Sequence, residues 1–272
     1  MSRRTLLGVA GHPVSHSRSP AMHNAALSAV GLDWLYMPLP LAPERFVAAA
    51  CALEGSGFRG INVTVPHKVA AHDLAHERSQ AAEEIGAANT LTFADGRIAA
   101  DNTDAGGFLD ALDEPPRGKR ALVLGAGGSA RAVVWALVQA GASEVSVLNR
   151  TPDRATALAG ALGARQVDRA EAADLLVNCT SVGLGNGGGV EEAVAELGLG
   201  AIEPPATVVD LVYGLRTTPV AAWAAAAGSR VVEGREVLVR QGARSFELWT
   251  GREAPVDVMR QAAGVAYQLG AQ

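Results

Sequence analysis

Apolar positions along the chain alternate between two periods. TLLGVAG (5–11) is a short run bounded by a loop-forming Gly-His-Pro, and it predicts a buried strand. Ser19-Pro20 then looks like an N-cap followed by proline at the first helical position, with Met22, Ala26, Ala29 and Val30 sharing one face and Gly31 closing the helix. WLYMPL predicts a second strand. Pro43 opens another helix, with Phe46, Val47, Ala50 and Leu53 apolar. GINVTVPHK (60–68) predicts a strand with Ile61, Val63 and Val65 on one face and Asn62 and Thr64 on the other; Pro66 ends it and Lys68 follows. Residues 69–85 have helical texture. TLTF-ADG-RIAA predicts a hairpin around Asp95-Gly96, and a short helix with Phe108, Leu109 and Leu112 comes next.

Asp113-Glu114-Pro115-Pro116 reads as a linker, and beyond it the texture changes. ALVLGAGGSARAVVWALVQAGASEVSVLNRT predicts strand, glycine turn, helix closed at Gly141, and strand. DLLVNCT and TVVDLVY are further apolar strands, TPVAAWAAAAG is a helix between Thr218-Pro219 and Gly228, and RVVEG is a last strand. Such continuous apolar runs suit a parallel sheet covered on both faces. GLGNGGG (183–189) is of low complexity and predicts a mobile loop, and no internal repeat is present.

Composition narrows the class. The 272 residues suffice for one large or two ordinary domains, and with 49% apolar and 19% charged residues a packed globular protein is expected. The net charge of -5, with no basic stripe, argues against nucleic acid and anionic membrane as partners. Cys51 and Cys179 lie far apart, each in an apolar stretch, which predicts two buried thiols rather than a disulfide. The apolar run near the N-terminus breaks at Gly11-His12-Pro13, too early for a signal peptide, and no stretch approaches the roughly 20 apolar residues of a membrane helix. A soluble, cytoplasmic protein is expected.

Gly125-Ala126-Gly127-Gly128-Ser129-Ala130 matches G-x-G-x-x-A between a predicted strand and helix. The first glycine allows a tight turn, the second lets the backbone approach a pyrophosphate, and the small last residue lets helix and strand pack closely. The helix start offers free N–H groups and the positive end of its dipole. The next strand ends in Asn149-Arg150-Thr151, where an NAD-binding fold usually has an acidic residue for the ribose 2′-OH. Arg150, Thr151 and Arg154 suit a 2′-phosphate instead, so NADP(H) is favoured over NAD. Thr151 is equally readable as a helix cap, and Arg154 as a solvated helix residue.

The N-terminal half holds Ser17, Ser19, Asn62, Thr64, Lys68, Asn89 and Asp104, most of them at ends of predicted strands. Ligands in open α/β sheets collect beyond the carboxyl ends of strands, so a small polyhydroxylated ligand could be gripped there. Singly, each residue has a plainer reading: Ser19 and Asp104 as helix caps, Asn89 as a turn residue, Lys68 as a surface lysine. His12, His16 and His67 do not have metal-ligand spacing, and no metal is expected.

In order and spacing the chain resembles the shikimate dehydrogenase family nearly end to end. The likeness is carried by GHPVSHSRSPAMHN (11–24), GINVTVPHK (60–68), GAANTL (86–91), DNTDAGG (101–107), GAGGSARA (125–132), NRT (149–151), NCTSVG (178–183), DLVYGLRTTP (210–219) and GREVLVRQGARSFELWTG (234–251). The resemblance implies an N-terminal α/β substrate domain plus a Rossmann-type doubly wound parallel-sheet NADP domain, with a cleft between them. Residues 1–113 and 238–272 would form the first, discontinuous domain, and 114–237 the second. The implied reaction is reversible, NADPH-dependent reduction of 3-dehydroshikimate to shikimate, in the chorismate route to aromatic amino acids. Lys68 and Asp104 would be the catalytic pair, with the lysine or the pair as acid/base. Ser17 and Ser19 would bind the substrate carboxylate, and Asn62, Thr64, Asn89 and Gln241 ring hydroxyls or the catalytic groups. Tyr213 matches a family tyrosine near the substrate and is also readable as a core aromatic. Thr180 and Gly234 would join the cofactor-binding set. The implied form is a monomer or homodimer.

Leu215 stands where the family usually has proline, Ala88 where valine is common, and Val237 where methionine is frequent. None removes a proposed catalytic group. Related alternatives are a quinate or aminoshikimate dehydrogenase of the same fold; an acidic residue in place of Asn149-Arg150 would favour the quinate enzyme. A non-catalytic nucleotide sensor should have lost Lys68 or Asp104, and both remain.

Overall fold

The computed structural model describes residues 4–184, 189–214 and 216–264. Part of the Gly183–Gly189 loop, Leu215 and the end of the C-terminal segment therefore lie outside the described residues. The chain runs β1 (Thr5–Gly11), α1 (Ser19–Ala29), β2 (Trp34–Pro40), α2 (Pro43–Leu53), β3 (Phe58–Val63), α3 (Lys68–Asp73), β4 (Glu77–Arg78), α4 (Gln80–Ile85), β5 (Thr90–Ala94), β6 (Arg97–Asp101) and α5 (Thr103–Ala111). It continues through β7 (Arg120–Leu124), α6 (Gly128–Gln139), β8 (Glu144–Leu148), α7 (Pro152–Leu162), β9 (Arg165–Gln166), β10 (Leu175–Asn178), α8 (Val190–Glu196), β11 (Thr207–Asp210), α9 (Pro219–Ala226) and β12 (Arg230–Glu233), ending with α10 (Gly234–Thr250) and α11 (Val256–Ala263). Its contacts fall into two compact units, 1–107 with 238–272, and 108–237. The chain passes between them inside α5 and α10, so the Asp113–Pro116 stretch lies within the second unit rather than at its edge.

The first unit holds a mixed sheet in the order β2-β1-β3-β5-β6-β4. β1 is parallel to β2 and β3; β5 is antiparallel to β3 and β6. Asp95 and Gly96, both at positive φ, make the two-residue hairpin turn between β5 and β6. Four local expectations change. Ser19 is the first residue of α1 and Arg18 its N-cap, while the Ser17 hydroxyl accepts from the Ser19 amide at 3.2 Å. The buried face of α1 is Met22, His23, Ala26 and Leu27, and Ala29 is exposed. β3 ends at Val63; the chain turns at once, and Val65 is 63% exposed. Residues 69–85 are two short helices: Glu77 and Arg78 pair with β6, and the Ser79 hydroxyl caps α4, so edge pairing overrides helical texture.

α10 and α11 return to this unit. Val239, Ala243, Phe246 and Trp249 of α10 share a core with Leu7, Val9, Met22 and Tyr36. Gly60 makes the contact possible, since a Cβ there would sit 2.2 Å from Trp249 Nε1 and 2.5 Å from the Leu91 carbonyl oxygen. The indole N–H donates to that same oxygen at 3.1 Å.

The second unit is an all-parallel sheet, β12-β11-β10-β7-β8-β9, which is the doubly wound Rossmann order with its switch point between β7 and β10. Ala130, Val133, Val134 and Leu137 of α6 are buried, and Gly141, at φ 81, closes that helix. No disulfide joins the two cysteines, but neither is the buried thiol expected: Cys179 is only partly buried, and Cys51 is exposed, on the face of α2 turned away from buried Phe46 and Ala50. Among the described residues no helix is long and apolar enough to cross a membrane.

His23 is wholly buried, and neither ring nitrogen has a hydrogen-bond partner. Its ring stacks on Tyr36 with centroids 4.3 Å apart and lies near Phe246 and Trp249. Burial pushes its pKa down to about 3. Since the unfolded ring titrates near its ordinary value, stability is fully present above that value and falls as pH drops towards the folded one. At pH 5 the loss is about 2 kcal/mol relative to pH 8. His23→Phe keeps the stacking and removes the titration. Chemical denaturation at the two pH values should show a pH 8 to pH 5 drop smaller by that amount; an unchanged drop would mean that His23 is protonated in the fold.

Candidate functional site

Pairing registers bring the polar residues of the first unit to one edge of its sheet. β1 and β3 are parallel, so Gly11 and Val63 end side by side, and the loop bearing Ser17 and Ser19 follows β1. β5 runs the other way, so its start, after Asn89, faces the end of β3. Thr90 pairs with both Asn62 and Asp101, which puts the exit of β6 at the same edge. The Thr64 amide donates to the Ala10 carbonyl at 2.9 Å. A Cβ on Gly11 would lie 2.4 Å from the Thr64 methyl, so glycine at 11 gives Thr64 its place.

Lys68 opens α3 and Asp104 lies in the first turn of α5. Lys68 Nζ donates to Asp104 Oδ2 at 2.6 Å, with the two side chains 9% and 19% exposed. This is no surface lysine, and helix capping falls to Asn102, whose Oδ1 accepts from the Ala105 amide at 3.3 Å.

Asn89 is the hub. Its amide donates to Asp101 and its carbonyl accepts from Val63, so the backbone is fixed between two strands. Its Nδ2 lies 2.9 Å from Asp104 Oδ1, 3.0 Å from Thr103 Oγ1 and 3.1 Å from Gln241 Oε1. Its Oδ1 accepts from the Thr103 amide at 2.7 Å. Gln241 arrives on α10 and donates to the Leu238 carbonyl at 2.8 Å. That helix comes close because position 107 on α5 is glycine, where a Cβ would meet the Gln241 amide nitrogen at 2.4 Å.

Asn62 is buried beside this cluster, with both sides of its amide hydrogen-bonded. Nδ2 donates to the Asn89 carbonyl at 3.3 Å and Thr90 Oγ1 at 3.2 Å; Oδ1 accepts from the Tyr36 hydroxyl at 2.8 Å and the Ser245 hydroxyl at 3.4 Å. Tyr36, Thr90, Asn102, Thr103 and Ser245 escape sequence reasoning, because each is recognisable only as a strand, helix or turn residue. Lys68, Asp104, Asn89 and Gln241 are thus one hydrogen-bonded cluster, with Asn62 bonded to it through Asn89. Ser17, Ser19 and Thr64 share the sheet edge and stand outside that cluster.

In the second unit, Gly125, Asn149, Thr180, Tyr213 and Gly234 follow β7, β8, β10, β11 and β12, all at the carboxyl edge of the sheet. Gly125 has φ 104, and a Cβ there would lie 3.1 Å from the Cys179 carbonyl oxygen. Gly127 is the N-cap of α6 and has open space where a Cβ would stand; Gly128 and Ser129 form the first turn, and Ala130 is fully buried. Turn, approach and close packing are all present, so the residues fit a pyrophosphate against a helix start. Asn149 Nδ2 donates to the Thr151 carbonyl at 2.9 Å. Thr151 is the N-cap of α7, but its hydroxyl makes no cap bond. Arg150 and Arg154 are exposed, and no acidic residue follows β8 directly.

Thr180 is committed to a local turn: its hydroxyl donates to Asn178 Oδ1 at 2.7 Å and accepts from the Val182 amide at 3.1 Å. Asn178 Nδ2 donates to Asp210 Oδ1 at 2.9 Å, and the Thr218 hydroxyl donates to Asp210 Oδ2 at 2.5 Å. Burial raises the Asp210 pKa to about 6 against these bonds. Gly234 is buried, and a Cβ there would lie 2.5 Å from the Leu211 carbonyl oxygen, so internal packing alone demands glycine. Tyr213 is partly buried beyond β11.

Residues 9–91 match the family model described as the shikimate dehydrogenase substrate binding domain. Residues 111–182 match that of shikimate / quinate 5-dehydrogenase, and 234–263 that of the shikimate 5'-dehydrogenase C-terminal domain. The shikimate dehydrogenase (NADP(+)) of Moorella thermoacetica is 45% identical over 271 residues, covering 93% of this chain and 90% of the relative. That of Methanopyrus kandleri is 43% identical, with 94% of each chain covered. The crystal structure of Thermus thermophilus shikimate 5-dehydrogenase in complex with NADP(H) and shikimate superposes with a TM-score of 0.85 at 41% identity, over 96% of this chain and 98% of that one. Likeness of this extent in sequence and fold, across both units, means that the chain belongs to the shikimate dehydrogenase family.

Proposed function

We propose that this chain reduces 3-dehydroshikimate to shikimate with NADPH, reversibly, and that Lys68 and Asp104 carry the proton chemistry. The observation that carries the reading is the Lys68–Asp104 contact of 2.6 Å, largely out of water and braced by Asn89. NADPH, when bound, supplies a hydride to the ketone carbon. As the carbonyl oxygen gains negative charge, the Lys68 ammonium stabilises it and gives it a proton. Asp104 keeps the amine aimed and accepts from a neighbouring ring hydroxyl through whichever lone pairs its two partners leave open. In the reverse direction neutral Lys68 takes the hydroxyl proton as hydride leaves.

Ser17, Ser19 and Thr64 offer hydroxyls at the same sheet edge for the substrate carboxylate and ring. Gln241 and Asn89 present amides beside the pair, and Tyr213, on the loop after β11, adds a phenol for the substrate. Asn62 acts by aligning Asn89 and Thr90. In the second unit the Gly125–Ala130 turn receives the pyrophosphate. Arg150, Thr151 and Arg154, with no carboxylate directly after β8, receive the 2′-phosphate; Asn149 shapes that turn.

The direct test follows the absorbance of reduced nicotinamide with purified protein and NADP⁺ or NAD⁺, with shikimate, quinate or no substrate. Turnover with shikimate and NADP⁺ is expected; turnover confined to quinate or to NAD⁺ would overturn the substrate or the 2′-phosphate assignment. Lys68→Ala should lower kcat about 10²–10⁴-fold while shikimate Kd, read by calorimetry, changes far less; equal losses would make Lys68 a binding residue. Arg150→Ala should raise KM for NADP⁺ about tenfold or more, the worth of a charged hydrogen bond, and leave NAD⁺ kinetics unchanged. An equal loss with both cofactors would sink that role.

A further inference from the structure

Asp210 lies at the end of β11 with 1% of its surface exposed, and touches none of the groups assigned to chemistry above. A carboxylate so placed needs a reason, because burial alone works against its charge. The hydrogen bonds of its side chain all go to chain segments that leave the same sheet edge. Oδ1 accepts from Asn178 Nδ2 at 2.9 Å and from the Val212 amide at 3.1 Å. Oδ2 accepts from the Thr218 hydroxyl at 2.5 Å, and Thr218 Oγ1 in turn caps α9 by accepting from the Ala221 amide at 3.3 Å. Asn178 passes the constraint on: its Oδ1 accepts from both the amide (3.1 Å) and the hydroxyl (2.7 Å) of Thr180, and Thr180 Oγ1 accepts from Val182. The backbone is held as well, for Gly234 crosses so close that a Cβ would lie 2.8 Å from the Asp210 carbonyl oxygen. One carboxylate therefore bears on two connections: it fixes the start of 179–183 after β10, and both ends of the loop after β11 that carries Tyr213, at Val212 and at the entry to α9.

A dinucleotide on this fold lies across the switch point, with its pyrophosphate on the β7–α6 turn. The β10 and β11 connections are then those on the far side of the pyrophosphate from Arg150. We propose that Asp210 is a positioning residue: through Asn178 and Thr218 it latches the Thr180 and Tyr213 loops in the form that receives the nicotinamide half of NADP(H). This rests on the function proposed above. The alternative is a carboxylate that merely stabilises the unit.

The test compares Asp210→Ala, which leaves three donors without an acceptor, with Asp210→Asn. The latter keeps Oδ1 for Asn178 and Val212 and can donate to Thr218. Amide hydrogen exchange is measured on the ligand-free protein, and NADPH Kd by the fluorescence of the bound nucleotide. In Asp210→Ala, exchange at Val182 and Val212 should speed about tenfold or more while the Asn89 amide of the first unit keeps its rate. NADPH Kd should rise about tenfold, the loss of one or two hydrogen bonds' worth of binding; Asp210→Asn should recover most of both. Unchanged exchange, or faster exchange with an unchanged Kd and only a lower Tm, would overturn the proposal. Should Asp210→Ala not fold, Thr218→Val removes the bond to Asp210, and with it the α9 cap, at nearly constant shape. It should speed exchange at Val212 and spare Val182, and equal rates at both sites in variant and wild type would count against the latch. Failure of the wild type to bind NADPH would instead overturn the proposed function, and the exchange rates would still decide whether the latch exists.

Discussion

A carboxylate and an ammonium held 2.6 Å apart with little water around them are tolerated only when the remaining lone pairs and protons are met as well. Much of the first unit can be understood as the means of doing so. Asp104 Oδ1 is met by Asn89; Asn89 is met by Thr103, Gln241 and two strands; its neighbour Thr90 is met by Asn62; and Asn62 is met by Tyr36 and Ser245. The chain of bonds runs from the charged pair into the aromatic core, where Tyr36 stacks on His23. A side chain tied into packing at one end and into a charge at the other cannot wander, which is the preorganisation that transition-state stabilisation needs.

The second unit solves a different problem with the same means. The groups proposed to meet its ligand lie on connections whose conformations are not set by strand pairing. Gly125 and Gly127 shape one connection through backbone freedom and space. Asp210, Asn178 and Thr218 hold those after β10 and β11 through a small buried polar network. Glycine where the ligand must come close, and buried polar residues where a loop must stay still, divide the work along one sheet edge.

Much of this is legible in the sequence. The Rossmann half can be read because βα punctuation is local: apolar run, glycine turn, helix, Gly141. Lys68, Asp104 and Asn89 can be singled out because they sit at strand ends in a recognisable order. The roles of Asn62 and Thr180 cannot, since an amide or hydroxyl reads the same whether it faces a ligand or four protein atoms. β3 reads longer than it is because Val65 keeps the alternation after the backbone has already turned. Residues 69–85 read as one helix because pairing of Glu77 and Arg78 with β6 depends on a strand about twenty residues on. Cys51 reads as buried because it lies in an apolar stretch, yet it sits on the outer face of α2.

Gln241 reaches Asn89 across 152 residues of sequence. The support for the charged pair is therefore completed by a helix synthesised only after the whole second unit. Until α10 exists, the first 107 residues lack both that wall of the cluster and the Val239, Phe246 and Trp249 part of their core. Completeness of the cluster thus reports on completion of the chain: a nascent or truncated polypeptide carries Lys68 and Asp104 without the Gln241 contact that closes the network around Asn89.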